Sequence, residues 1–297
     1  MRSKLLYNVF ALMMAAAVSS CEKMTLSESV QSDDANKANV VLRVTQFEQI
    51  PFESQTRAEA GSVCTRLCFH IYGEDGTRLK YVNQKAEEAN YGTASFSLAE
   101  GRYVIVVVGH SASSNPSFSA NEKVSISGNN LGDTFWCCEE FEVGNGEVDL
   151  DLRLKRIVSM LQFVPTDERP ENMNQVIFSY KGSKGTFNGL TGYGSTNAAQ
   201  TVTLDLDPMD VDTSQLAFYM IPRSDSDLLD IKLSTYYIES DGKIHSLTDK
   251  EIAQVPVKQN CITICRGNLF DGKNSSKSVF VTISVDTDWD ENIEVSF

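Results

Sequence analysis

The clearest pattern in the chain lies between Glu147 and Val164. Val148, Leu150, Leu152 and Leu154 alternate with Glu147, Asp149, Asp151 and Arg153, a period of two that predicts a strand with one buried and one wet face. After Lys155 and Arg156, the run Ile157, Val158, Met160, Leu161, Phe163 and Val164 scarcely alternates, which predicts a strand covered on both faces. The stretch reads as the last strand of one β-unit running directly into the first strand of another, with the two basic residues as the hinge.

On the N-terminal side, Val40, Leu42 and Val44 predict a first strand that fades at Pro51. Val63, Leu67, Phe69 and Ile71 stand opposite Cys64, Arg66, Cys68, His70 and Tyr72, and Glu74-Asp75-Gly76 supplies a turn. Phe96 and Leu98 lead through Ala99-Glu100-Gly101 into Arg102 to Val108, apolar on both faces and therefore central, and Phe135 to Val143 follows. Beyond the junction, strands are predicted at 176–178, 202–206, 216–221, 228–238, 261–264 and 278–285, with a short last one at 293–297. Ser240-Asp241-Gly242 predicts a hairpin with a type I′ turn. Gly182 to Ala199, with five glycines, predicts an irregular surface loop. Many short strands, regular turns and 297 residues predict an all-β chain of two tandem antiparallel β-sandwich domains, residues 39–154 and 155–297.

Arg2 and Lys4 precede an apolar run from Leu5 to Val18 that ends in Ser19, Ser20 and Cys21. A basic head, a short apolar middle and small residues make a secretory signal, residues 1–20, too short to span a bilayer. Val18-Ser19-Ser20-Cys21 reads further as a lipobox, cut between Ser20 and Cys21 so that Cys21 carries acyl chains; two or more chains hold stably where one holds marginally. The polar stretch 21–38 then predicts a flexible tether between lipid and fold. The net charge of −14 argues against partners such as nucleic acid or an anionic membrane face. Membrane attachment is expected through the lipid on Cys21.

Together these features resemble the fimbrillin superfamily, in particular the lipid-anchored minor subunits of the FimB type in type V pili. The resemblance is carried by the leader ending at Cys21, Phe96 to Tyr103, the junction Leu152 to Leu161, Phe218-Tyr219-Met220-Ile221-Pro222, and Gln259-Asn260 followed by Gly267-Asn268-Leu269-Phe270. It implies transthyretin-like sandwiches and a cell-surface fimbrial anchor or accessory subunit on the outer membrane, with fimbrial subunits as partners through β-strand exchange. It also implies that polymerising relatives are trimmed after a basic residue following the first strand. Arg57-Ala58 stands in that place, as a maturation site or as an ordinary loop arginine.

Other chemistry is thin. Cys64 and Cys68 on one strand stand about 13 Å apart at about 3.3 Å per residue, so they cannot join, and any disulfides must cross strands. Cys68 and His70, with Cys64 or Cys137, invite a zinc site but lack the close cysteine pairs such sites use, so no cofactor or metal is expected. Asp286 to Glu291 has the oxygens for calcium without the spacing of a calcium loop. His110 is expected at a strand end on the surface. With no nucleophile elbow and no HExxH, an enzyme is not expected. The alternative to a fimbrial subunit is a glycan-binding surface lipoprotein, using Trp136, Tyr193 and Trp289 as platforms.

Overall fold

The structure is a computed structural model, and it describes residues 38–47, 50–51, 64–127, 131–170, 172–206, 216–270 and 280–284. The described residues contain no helix. In chain order, the first half supplies β1 (Val40–Phe47), β2 (Ile50–Pro51), β3 (Arg66–Gly73), β4 (Arg78–Lys85), β5 (Thr93–Phe96) and β6 (Gly101–His110). It continues with β7 (Ser117–Ala120), β8 (Lys123–Ser125), β9 (Thr134–Val143) and β10 (Val148–Arg156). One layer has the order β5-β1-β10, with β2 also on β1, and the facing layer has the order β4-β3-β6-β9. The alternating residues read from the sequence meet between the layers: Val40, Leu42, Val44 and Phe47 pack with Leu67, Phe69, Ile71, Ile105, Val107, Phe135, Leu152 and Leu154. The last two residues of β10, Lys155 and Arg156, cross to pair with Trp136 and Phe135 of β9 and close one side of the sandwich.

The second half supplies β11 (Ser159–Pro165), β12 (Gln175–Gly182), β13 (Thr186–Phe187), β14 (Ala198–Asp205) and β15 (Ala217–Met220), then β16 (Asp227–Ile238), β17 (Ile244–Val257), β18 (Ile262–Gly267) and β19 (Phe280–Ser284). Its layers repeat the strand order of the first half: β15-β11-β18 mirrors β5-β1-β10, and β14-β12-β16-β17 mirrors β4-β3-β6-β9. Within otherwise antiparallel sheets each half contains one parallel pair, β1 with β10 and β11 with β18. β19 adds a further strand on β18. The core of this half is aromatic: Phe163, Phe178, Tyr180 and Phe218 stack at centroid distances of 4.4 to 6.0 Å.

The expected hairpin at 240–242 forms, with a different turn. Gly242 N donates to Glu239 O and Glu239 N to Lys243 O. Gly242 has φ +88° and Asp241 stays at negative φ, so the turn is a type I turn with a left-handed glycine after it.

The junction is not a hinge of exposed basic residues. Arg156 has a side chain only 4 % exposed; it bonds Asp133 and Asn260 at 3.1 Å and lies over the Phe135 ring. Ile157 and Val158 are fully buried in a third apolar cluster, with Val106 and Val108 from the first half and Ile221 and Ile262 from the second. This cluster welds the halves, and residues 36–297 form one compact unit.

The glycine-rich segment also departs from expectation. It leaves the second half, and its β13 joins β8, which pairs with β7, to form a small sheet over the outer face of the first sandwich. Its glycines permit close backbone contact. A Cβ on Gly189 would overlap the carbonyl of Asn121, and one on Gly185 would stand 2.5 Å from the carbonyl of Ile126. Gly192, at φ +75°, lies against the Trp136 ring.

Beneath this cover sit two histidines. His70 is 3 % exposed, its ring stacked 3.5 Å from the centroid of Phe118, and neither ring nitrogen has a hydrogen-bond partner. His110 is 1 % exposed rather than on the surface, because the segment after β6 folds back over it and Ala112 N donates to its Nδ1. Burial, aided by Arg78, pushes His70 down to about 3; burial, aided by Arg66, pushes His110 down to about 4.

Both histidines are neutral in the fold and take up a proton more readily when unfolded, so stability is full above about pH 6.5 and falls as pH drops toward 4. Urea unfolding at about pH 7.5 and 4.5 checks this. Each histidine is expected to account for a loss on the order of 2 kcal/mol, and the His70→Gln/His110→Gln variant flattens the slope. Gly189→Ala is expected to cost about 1–3 kcal/mol by forcing two backbones apart, whereas Gly144→Ala, with open space around it, stays within about 0.5 kcal/mol.

Candidate functional site

The N-terminal strand β1 is interior rather than peripheral. Along one edge it runs parallel to β10, in register from Val40 with Val148 to Phe47 with Leu154. Along its other edge it is antiparallel to β5 at Val40–Arg43 and to β2 at Gln46–Phe47. A bulge between Val44 and Gln46 changes the spacing of the inward side chains. Val40, Leu42, Val44 and Phe47 are 0 to 3 % exposed, so the buried positions fall at steps of two, two and three.

The turn that leads into β5 is held by bonds that do not pass through β1. Gln84, 1 % exposed, donates to the carbonyls of Asn90 and Thr93 and accepts from Gly92 N, fixing the turn that feeds β5. Gly92 in turn offers its carbonyl to Val44 N at 2.8 Å. At the entrance Asn39 caps the strand, its side chain bonding both Leu98 O and Leu98 N while its backbone carbonyl accepts from Val148 N. Burying four apolar side chains at about 1.5–3 kcal/mol each makes β1 worth roughly as much as the whole fold's net stability. The slot therefore cannot stand empty: whatever removes β1 must replace it.

The wet face of the slot is charged. Arg43 forms an ion pair with Asp149 and also faces Asp151, its register partner. The hydrogen bond to Arg43 holds the Asp149 carboxyl below its ordinary value, and that to Asp149 holds the Arg43 guanidinium above its own. Farther along, Arg153 stands opposite Gln46. The strand itself is legible from the sequence. Its interior place and the Arg43–Asp149–Asp151 contact are not, because they depend on a parallel partner 108 residues away in register.

Ser20, Cys21, Arg57 and Ala58 lie outside the described residues, as do Asp286 to Glu291, Trp289 and the strand expected at 293–297. In the chain, Arg57 falls between β2 and β3. The zinc set is not assembled: Cys64 and Cys137 belong to the core between the layers, whereas Cys68 lies in the cluster on the opposite face. The six described cysteines are thiols. Burial pushes Cys64 and Cys68 up to about 12 and also raises Cys137, so they act as small hydrophobes. Cys68 Sγ lies 3.8 Å from His110 Nε2, but a thiol raised and a histidine lowered by burial make a neutral pair rather than an activated nucleophile. Of the aromatic platforms, Trp136 is closed, since Gly192 covers its ring and its Nε1 donates to Gly189 O at 2.7 Å. Tyr193 is half-buried beside Asp225, to which it is hydrogen-bonded.

No curated protein matches the chain. Among solved structures, the chain is similar to a protein from Bacteroides thetaiotaomicron provisionally described as polysaccharide binding. The two are 10 % identical over 87 % of this chain and 99 % of that one, with a TM-score of 0.50. It is also similar to a fimbrial assembly protein from Parabacteroides distasonis, at 9 % identity over 84 % and 96 % of the chains with a TM-score of 0.43. A third is the fimbrial anchor protein Mfa2 from Porphyromonas gingivalis, at 11 % identity over 82 % and 96 % with a TM-score of 0.42. At such identities the first of these likenesses is one of fold alone. The family of unknown function DUF6562 matches residues 31–297, and the chain belongs to that family.

Proposed function

We propose that the chain is a lipid-anchored cell-surface subunit of a fimbria, an anchor or accessory piece that assembles by β-strand exchange and performs no covalent chemistry. The observation that carries this reading is β1: the first described strand held as an interior one, in a slot between β10, which is also tied to β9, and β5, whose lead-in turn is held by Gln84. A strand from another subunit can occupy the same ladder and the same four apolar sites, which is the physics of β-augmentation. The lipobox at Cys21 supports attachment to the outer membrane with the chain at the cell surface. Two routes let another strand take the place of β1. Cleavage after Arg57 discards Cys21 and β1 together; displacement pulls β1 out while both stay on the chain.

The glycan-binding alternative draws on the description of the Bacteroides thetaiotaomicron protein. The closed ring of Trp136 and the engaged hydroxyl of Tyr193 weigh against it here.

The N-terminus and intact mass of the protein from cells test the reading. A blocked, acylated Cys21 is expected for an anchor, and Cys21→Ala is expected to shift the protein from the membrane fraction to the soluble one. A free N-terminus at Ala58 assigns it to the polymerising shaft or tip. Protein that is always monomeric and brings down no fimbrial partner from intact cells sinks the proposal.

A further inference from the structure

We infer that the β1 slot selects its occupant by charge: it takes a strand carrying a cation at the position of Arg43, and it refuses the acidic segment 280–297 of a second copy of this chain. The inference rests on the strand-exchange reading and adds the chemistry of the strand that the slot accepts. Numbered from Val40 as zero, a strand lying as β1 does needs apolar side chains at 0, 2, 4 and 7, the last step lengthened by the bulge. On the wet face, position 1 stands opposite Asp149 and position 3 opposite Asp151, and Asp149 also reaches position 3 in the ion pair with Arg43. Position 6 stands opposite Arg153.

The chain's own C-terminal segment, 280–297, carries Asp286, Asp288, Asp290, Glu291 and Glu294 and no lysine or arginine. Each apolar triplet it offers fails in the same orientation. Val281, Ile283 and Val285 at positions 0, 2 and 4 put Asp288 at position 7, in the fully buried site of Phe47. Ile293, Val295 and Phe297 put Glu294 at position 1 against Asp149. Starting at Ile283 puts Asp286 at position 3, between two carboxylates. An unpaired carboxylate in an apolar site is the costliest of these faults. The like charges on the exposed face mainly slow encounter and exclude the wrong partner, an effect that salt weakens. Addition of a second copy through this segment is therefore blocked.

The test uses the chain from residue 22 to 297, nicked at a protease site placed after Arg57 so that β1 stays bound without a covalent link to β3. Three peptides compete for the slot: residues 38–49, the same peptide with Arg43→Glu, and residues 280–297. Release of the β1 fragment is read by native mass spectrometry. At low ionic strength the 38–49 peptide is expected to exchange at least about tenfold faster than its Arg43→Glu form, a gap that closes in about 0.5 M salt. The 280–297 peptide is expected not to enter. The Asp149→Lys/Asp151→Lys variant, changed only on the wet face, is expected to reverse the preference between the first two peptides. Entry of 280–297 as readily as 38–49, or exchange indifferent to residue 43, overturns the inference and leaves strand exchange standing. Failure of every peptide, including 38–49, overturns strand exchange itself.

Discussion

Strand β10 has to satisfy two ladders at once. Its first seven residues lie alongside β1 in one layer, and its last two cross to β9 in the other. A strand bound to both layers fixes their spacing, so the aromatic and aliphatic filling between them, Phe47 edge-on to Phe135 at 5.0 Å among it, has one arrangement. The crossing also places Arg156 where water scarcely reaches. A buried guanidinium without partners would cost several kcal/mol; Asp133, Asn260 and the Phe135 ring supply them, and two of these three belong to the first half while Asn260 belongs to the second. The charge that ends one sandwich is thus neutralised by Asp133 of the same half and hydrogen-bonded by Asn260 of the other.

The same logic explains why the halves are not beads on a string. Between β10 and β11 only Ile157 and Val158 intervene, and both are buried. Their backbone is taken up on either side, Ile157 N by Thr134 O and Val158 O by Asn260 N. The glycine-rich segment makes a second bridge, with Gln259 bonding Gly192 O and Trp136 bonding Gly189 O. Bending the halves would break polar contacts and open an apolar cluster together, which makes the junction stiff.

What was legible in the sequence is what period-two alternation records: one face in core, one in water. β10 and β16 show it and fall where the pattern put them, and β6, apolar on both faces, lies between β3 and β9 as a central strand. β4 does not, because as an edge strand most of its residues, Arg78 to Tyr81 among them, face solvent on both sides, so there is no apolar face to read. β13 is two residues long and owes its existence to a partner strand, β8, some 60 residues away. The five glycines between Gly182 and Gly194 look like a loop in sequence because close approach of two backbones and a mobile turn ask for the same residue. The burial of Arg156 and His110 was hidden because period-two alternation records neither cover: Asn260, 104 residues on, closes over Arg156, and the chain just after β6 folds back over His110. The slot was half legible, since Val40, Leu42 and Val44 are plain, while the shift to Phe47 comes from a bulge that only the register reveals.

The duplicated strand order sharpens the case for β1. The second sandwich has an equivalent strand, β11, between β15 and β18 in the same parallel and antiparallel relation. Physically its slot would serve an incoming strand as well as that of β1. But β11 is tied to β10 by two buried residues, so leaving its place would drag Ile157 and Val158 out of the cluster that joins the halves and unseat Arg156. No residue of β1 belongs to that cluster, and β1 connects forward through the two-residue β2 and the twelve residues 52–63. Of two slots with one architecture, the first is the one whose strand could be exchanged with the junction left intact, provided that the incoming strand restores the ladder and the four apolar side chains.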